Sequence, residues 1–277
     1  MKRIVDIVFA FFLLITSANG QVQSSPGKKS RNNHSVYFNF GWHRIFYTNS
    51  TIHFRDHQIA NYNFKLIKAK AIDDNDLQIG KHVDAPQFTV KLGWFFKKNP
   101  GNGIEISFDH AKYILKQWQQ VRLKGTIDDV YYDKDTVLAP SFIKYEHTDG
   151  ANYYMVNFVK RKQLVQSGNG KHELDLLIKP GAGIVRPRTE STIMGDHANK
   201  RYHISGYVAG IESGLRAVLF KNILAEITCK GAYANYFDVL LAGSGKASQQ
   251  WWSFQYLFLI GYQFGKPGRT KDSWQGY

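Results

Sequence analysis

The sequence predicts an all-β fold: an antiparallel transmembrane β-barrel, most simply of eight strands, with a long insertion between the first two. Three observations carry that expectation. The first is the stretch Gln250–Phe264, where Trp252, Phe254, Tyr256, Phe258, Ile260, Tyr262 and Phe264 take every second position and Ser253, Gln255, Gly261 and Gln263 lie among the alternates. Successive side chains of a strand point to opposite faces, so one face is continuously apolar. A strand needs roughly 9–11 residues to cross a bilayer, and Trp252, Tyr262 and Phe264 fall where membrane-interface aromatics belong. The second is an export leader. Met1-Lys2-Arg3, an apolar run from Ile7 to Ile15 and the small residues Ala18 and Gly20 describe a secretory signal peptide cut after Gly20. The third is the lack, after the leader, of any apolar run of about 18 residues, the length a membrane helix needs. An exported aromatic-rich chain without helical spans has the closed barrel as the other way to satisfy its backbone in lipid.

The formal net charge of the 277 residues is +14, and loss of the leader leaves +13. Export argues against nucleic acid as the partner of that charge. Outer-membrane lipids and lipopolysaccharide phosphates suit it better, with a merely solvated periphery as the alternative. The lone Cys229 excludes an intramolecular disulfide, and no cysteine follows the leader to take a lipid anchor. The mature length suits one domain: signal peptide 1–20, flexible segment 21–34, barrel 35–264 and polar tail 265–277.

The first strand, Ser35–Tyr47, sets Val36, Phe38, Phe40, Trp42 and Phe46 against Tyr37, Asn39, Gly41 and His43. Arg44 interrupts the apolar face near its end, where a long side chain can reach an interface. Residues 48–85 read as one insertion that caps or plugs the barrel. They hold a short strand near Tyr62–Lys68 and have room for more. Asp73-Asp74-Asn75-Asp76 offers hard oxygens for calcium but lacks EF-hand spacing, so a solvated turn is the simpler reading. Asn33-His34-Ser35 and Asn49-Ser50-Thr51 are sequons that matter only in a eukaryotic host. Further strands begin near residues 87, 104, 142, 172, 202, 223 and 250. The run from 142 reads as bent at Asp149-Gly150, and that from 202 as bulged near Ser213-Gly214. Segments 117–140, 186–200 and 238–249 read as loops. Short connections after 96, 160 and 220 alternate with long ones after 47, 115, 185 and 236, as in barrels with short periplasmic turns and long outer loops.

An eight-stranded barrel is just wide enough for its own side chains to fill it. The predicted inward set carries Lys91, Glu105, Asp109, Glu173, Asp175, Lys179, Glu226 and Lys230. Unpaired charge is costly to bury, so a salt-bridged filling is expected, with a channel lining as the alternative. No metal ligand set, phosphate loop or dinucleotide fingerprint appears, and no cofactor is expected.

The terminal Gly261-Tyr262-Gln263-Phe264 resembles the C-terminal insertion signal of bacterial outer-membrane barrels, although a polar tail follows Phe264 here. With the leader and the strand alternation, the chain resembles the broad family of small outer-membrane β-barrel proteins. That resemblance implies a place in the outer membrane of a Gram-negative bacterium. It also implies contact of the terminal strand with the barrel-assembly machinery. Family functions range over membrane integrity, adhesion, lipid modification and small pores, and fold does not choose among them. Tyr145–Asn152 is faintly similar to the His-x-Ser-Asn segment of outer-membrane lipid A deacylases. The similarity implies His147 as general base, oriented by Glu146 or Asp149. Asp149 stands where that family has its serine; Ser107 or Ser205 would have to substitute, and a structural histidine at a strand bend is the simpler reading. His110 and His203 are equally sparse candidates. Three functions follow: a non-enzymatic structural or surface-interaction protein, a lipid A or phospholipid acyl-ester hydrolase using His147, and a soluble secreted barrel for a small apolar ligand.

Overall fold

The computed structural model describes residues 35–73 and 87–265. The leader, the N-terminal segment, the first sequon's asparagine, Asp74–Asp76 and the tail beyond Gly265 lie outside the described residues. In chain order the strands are β1 (Ser35–Tyr47), β2 (Ser50–Asp56), β3 (Tyr62–Ala69), β4 (Ala71–Ile72), β5 (Phe88–Phe95) and β6 (Asn102–His110). There follow β7 (Tyr113–Leu115), β8 (Gln120–Ile127), β9 (Val130–Val137), β10 (Ile143–His147), β11 (Tyr153–Gln166) and β12 (Glu173–Val185). The last are β13 (Glu190–Ile193), β14 (Asp196–Asn199), β15 (Gly206–Leu219), β16 (Ile223–Leu240) and β17 (Lys246–Phe264).

Eight strands form a ring in the order β1-β5-β6-β11-β12-β15-β16-β17, and β17 pairs back onto β1. The closing register runs without interruption from Val36 opposite Phe264 to Tyr47 opposite Ser253. All eight wall strands coincide with runs expected from alternation, and closure removes the open sheet edges that alternation alone leaves. At about 3.3 Å per residue and a tilt near 40°, the outward run from Trp252 to Phe264 covers roughly 30 Å. Phe38, Phe40 and Trp42 on β1, Leu92 on β5, Ile106 on β6, Val156 and Phe158 on β11, Ile211 and Leu215 on β15 and Ile227 on β16 continue this exposed apolar belt around the wall. Cys229 faces outward with them.

The long connections are not loops. Residues 48–73 supply the hairpin β2–β3, which continues the sheet from the upper end of β17, and β8 and β9 add to its far side. The segment 117–140 is therefore a hairpin. Its turn places Asp128 and Asp129 at φ 49° and 63°, the backbone of a type I′ turn, which Asp tolerates but which Asn-Gly announces more plainly. Segment 186–200 holds a second such hairpin, β13–β14, turning at Met194-Gly195 with φ 51° and 92°. The third expected loop, 238–249, is mostly strand: β16 runs to Leu240 and β17 begins at Lys246. Together with β10, β7 and β4, the β13–β14 hairpin makes a separate five-stranded sheet.

Two other expectations are corrected. The run from 142 is not one bent strand: β10 belongs to the outer sheet, and only β11 enters the wall. Nor is there a bulge at Ser213-Gly214, because β15 keeps unbroken register with both neighbours. The apparent change of parity has a different cause. Val208 and Val218 face inward into apolar layers at opposite ends of the barrel, so inward positions are not uniformly polar.

The interior is therefore layered. At the short-turn end Tyr37, Phe95, Val159, Leu177, Val218 and Leu224 pack together. At the long-connection end a larger core includes Phe54, Phe64, Tyr113, Tyr145, Tyr153, Tyr236 and Trp251 and joins the barrel mouth to the outer sheets. Charges lie between. Gly93 on β5 makes room for this filling: a Cβ there would stand 2.3 Å from the Tyr37 ring, whose hydroxyl donates to Glu105 at 2.8 Å. Gly93→Val is expected to destabilise the barrel by about 2–3 kcal/mol through overpacking, read as a lower urea midpoint for loss of the compact gel band. An unchanged midpoint would show that Tyr37 is free to move.

Candidate functional site

Alternation dictates which side chains enter the lumen; closure dictates which of them meet. Lys179 on β12 donates to Glu105 on β6 at 2.9 Å and to Glu226 on β16 at 3.1 Å, and stands 3.4 Å from Glu212 on β15. Lys91 on β5 lies 2.5 Å from Glu212 and 4.0 Å from Glu105. Lys230 on β16 donates to Asp109 at 2.6 Å and reaches Glu212 at 3.5 Å. Arg216 on β15 meets Glu226 at 2.5 Å and covers the Tyr37 ring at 4.0 Å. Nearer the short-turn end, Arg161 on β11 holds Glu173 at 2.6 Å and Asp175 at 3.3 Å. Neutral groups complete the mesh: Asn39 donates to Glu226 and Thr89 to Asp109.

All eight inward charges named from the sequence point into the lumen and are buried. Arg161, Glu212 and Arg216 complete the mesh and were absent from that set. The signal for them was present. Arg161 continues the inward odd positions of β11 one residue past the expected end of that strand. Glu212 and Arg216 follow from unbroken alternation in β15, which the supposed bulge concealed. Among the described residues five cations thus face six carboxylates in this mesh, so its charge is nearly balanced.

Above the mesh lies an aromatic roof. Trp251 stacks on Tyr113 and Tyr236 at centroid distances of 4.6 and 4.5 Å, and its indole N–H donates to the Tyr153 hydroxyl at 3.0 Å. Gln249 ties Tyr113 to Tyr145. His147 belongs to this roof. It is fully buried, lies nearly parallel to the Tyr236 ring and has its Nδ1 3.1 Å from the Thr189 hydroxyl. Its Nε2 has no hydrogen-bond partner among the described residues. Burial lowers its pKa to about 3.

The sequence-named carboxylates do not serve it. Glu146 pairs with Lys144 at 3.1 Å and Asp149 with Arg188 at 3.2 Å. Ser107 accepts from Asn157 in the lumen, and Ser205 donates to the His203 carbonyl. The grouping of His147 with Glu146 or Asp149 as base and orienting acid is thus corrected: Glu146 and His147 are successive residues of β10 and point to opposite faces, and Asp149, in the turn beyond the end of β10, is drawn to Arg188. His110 contacts Asn152, and His203 contacts Asp238, which also takes Lys246. Of the acidic run, Asp73 pairs with Arg44 at 2.9 Å. The three interface aromatics Trp252, Tyr262 and Phe264 are exposed on the outer wall.

No protein-family model matches the chain, and no curated protein matches it. Solved structures do. The attachment invasion locus protein Ail of Yersinia pestis aligns at 15% identity, over 83% of this chain and 98% of that one, with a TM-score of 0.30. The outer membrane protein OprG of Pseudomonas aeruginosa aligns at 12% identity, over 83% of this chain and 95% of that one, with a TM-score of 0.38. The chain is similar to small bacterial outer-membrane β-barrel proteins. The barrel itself is established by the chain's own strand order and by the β1–β17 pairing that closes it.

Proposed function

We propose that the chain is an integral outer-membrane protein of a Gram-negative bacterium. Its barrel is a closed anchor, and its outer β-sheets carry a non-enzymatic structural or surface-interaction role. The observation that supports this best is the inverted polarity of the ring. Phenylalanine, tryptophan and isoleucine are exposed around the wall, while lysine, arginine and carboxylates are buried inside it. A water-soluble protein rarely exposes an apolar patch beyond a few hundred Å²; a lipid-embedded barrel requires one. The leader and the basic charge agree with export into an anionic lipid surface. On this reading outer-membrane lipids and lipopolysaccharide surround the wall, and β17 offers its terminal Gly261–Phe264 to the assembly machinery.

Ion pairs across the lumen and apolar layers at both of its ends favour a filled barrel over a pore or an apolar-ligand cavity. The isolation of His147 from carboxylates weighs against the hydrolase. Membrane fractionation with gel migration before and after boiling tests the proposal. The expected result is a carbonate-resistant chain whose compact, faster band slows on boiling. A carbonate-released chain with no shift would overturn it.

A further inference from the structure

An open cleft of about 650 Å³ lies where the outer face of β2–β3 meets the outer wall of β16–β17. Tyr233 and Trp252 form its barrel side, their rings 5.3 Å apart, and His53, Lys65 and Thr51 form its sheet side. The cleft begins where the apolar belt ends. Below Trp252 the outward residues of β17 are Phe254, Tyr256 and Phe258, and above it they are Gln250 and Ser248. An aromatic pair at that change of polarity marks the level of lipid headgroups.

The sheet side carries unbalanced charge. Register places Ser248, His53, Lys65 and Lys124 in one row across four strands. Lys65 lies directly opposite Lys124, an arrangement that destabilises a sheet when no anion intervenes. Lys124 reaches Asp133 at 3.6 Å, but Arg122 already holds that carboxylate at 2.7 Å. Lys65 makes no ion pair among the described residues. His53 donates from Nε2 to the Asn63 side-chain oxygen at 2.6 Å, which fixes its ring beside the cleft.

From this arrangement we infer that the cleft binds the phosphate-bearing headgroup of an anionic membrane lipid. Lys65 holds the phosphate beside the His53 ring, and the lipid's chains descend past Trp252 along the apolar wall. The inference rests on the membrane-barrel reading and adds to it a lipid class and a site. A lipid phosphate and a free phosphate share the same ligand chemistry at Lys65, but only the lipid uses the aromatic pair and the wall below it.

The test uses the full-length folded protein in a nonionic glucoside detergent. Lipid A, lipid A stripped of phosphate and inorganic phosphate are titrated separately, and the temperature at which the compact gel band converts is followed. Lipid A is expected to raise that temperature, and the two other probes to leave it unchanged at equal concentration. Lys65→Glu should require about tenfold more lipid A or more, as loss of a charge-assisted bond implies. Lys65→Met should fall between it and the native chain. Lys134→Glu, the same charge change on β9 away from the cleft, should respond as the native chain does. An unchanged response of Lys65→Glu, or an equal response to dephosphorylated lipid A, would overturn the assignment. A response reproduced by inorganic phosphate would overturn the lipid source. Lack of a heat-convertible band in the native chain is a separate result that removes the barrel reading and the lipid assignment with it.

Discussion

Lys179→Met is expected to lower the unfolding free energy of the barrel by about 3–5 kcal/mol, the usual consequence of removing one partner from a buried ionic cluster. Methionine nearly matches the volume of the lysine stem, so the loss reports charge and not a cavity. Glu105, Glu226 and Glu212 all face this ammonium within 3.4 Å. Lys91 and Arg216 compensate only in part, because each is already engaged with one of the same carboxylates. Urea titration of the folded barrel, followed by the compact gel band, measures the change. The double variant Lys179→Met with Glu105→Gln should recover part of it, since one stranded carboxylate is then neutral. Arg122→Ala removes only the solvent-exposed pair with Asp133 and should leave the urea midpoint nearly unchanged. Equal stability of Lys179→Met and the native chain would mean that the lumen is hydrated enough to solvate its acids.

The second large effect is a dependence on pH set by His147, which lies in the outer sheet and not in the barrel wall. Burial among aromatic rings lowers its pKa from 6.5 to about 3 in the folded chain. Protonation therefore favours the unfolded chain. The contribution of the neutral ring is fully present above about pH 6.5 and is lost as pH falls toward 3, at about 1.4 kcal/mol per unit. His147→Gln should flatten that part of the stability profile, at the cost of a lower plateau at neutral pH from the disturbed stack on Tyr236. Stability measured by urea titration from pH 7.5 to 4 distinguishes the outcomes. An unaltered acid slope in the variant would show that the His147 ring does not set it. Asp238 and Asp56, whose carboxyls are held low by hydrogen bonds, keep their contribution until pH falls below the ordinary carboxylate range, beneath this window.

Both effects come from side chains whose placement, but not whose partners, was legible in the chain. Lys179 is one of the alternating polar residues of Glu173–Val185, and that alternation identifies its face. Its three acids lie on β6, β15 and β16, strands far from it in sequence. Lys91 and Glu212 likewise meet across a sequence separation of 121 residues. His147 was legible as a histidine in a polar stretch, which suggested a base beside an acid. The fold instead aims Glu146 at Lys144 and turns the imidazole toward Tyr236. Arg161, Glu212 and Arg216 were lost to a strand end placed one residue early and to a bulge inferred from apolar residues that belong to the end layers.

What the chain determined by itself is the barrel wall: eight runs of period two, their apolar faces outward, their charged faces inward, and short turns at one end. Alternation suffices for that, because a strand's faces are set by local backbone geometry. Tertiary structure alone decided the rest. Closure of β17 on β1 brought distant charges into a nearly balanced mesh. The type I′ turns at Asp128-Asp129 and Met194-Gly195 converted apparent loops into outer sheets. The packing of those sheets on the mouth buried His147 and opened the Lys65 cleft. The turns are local, but Asp-Asp and Met-Gly announce them weakly. The mesh and the packing of the outer sheets depend on contacts between strands distant in sequence, and no local pattern of residues encodes the distance between two strands that only the closed ring makes neighbours.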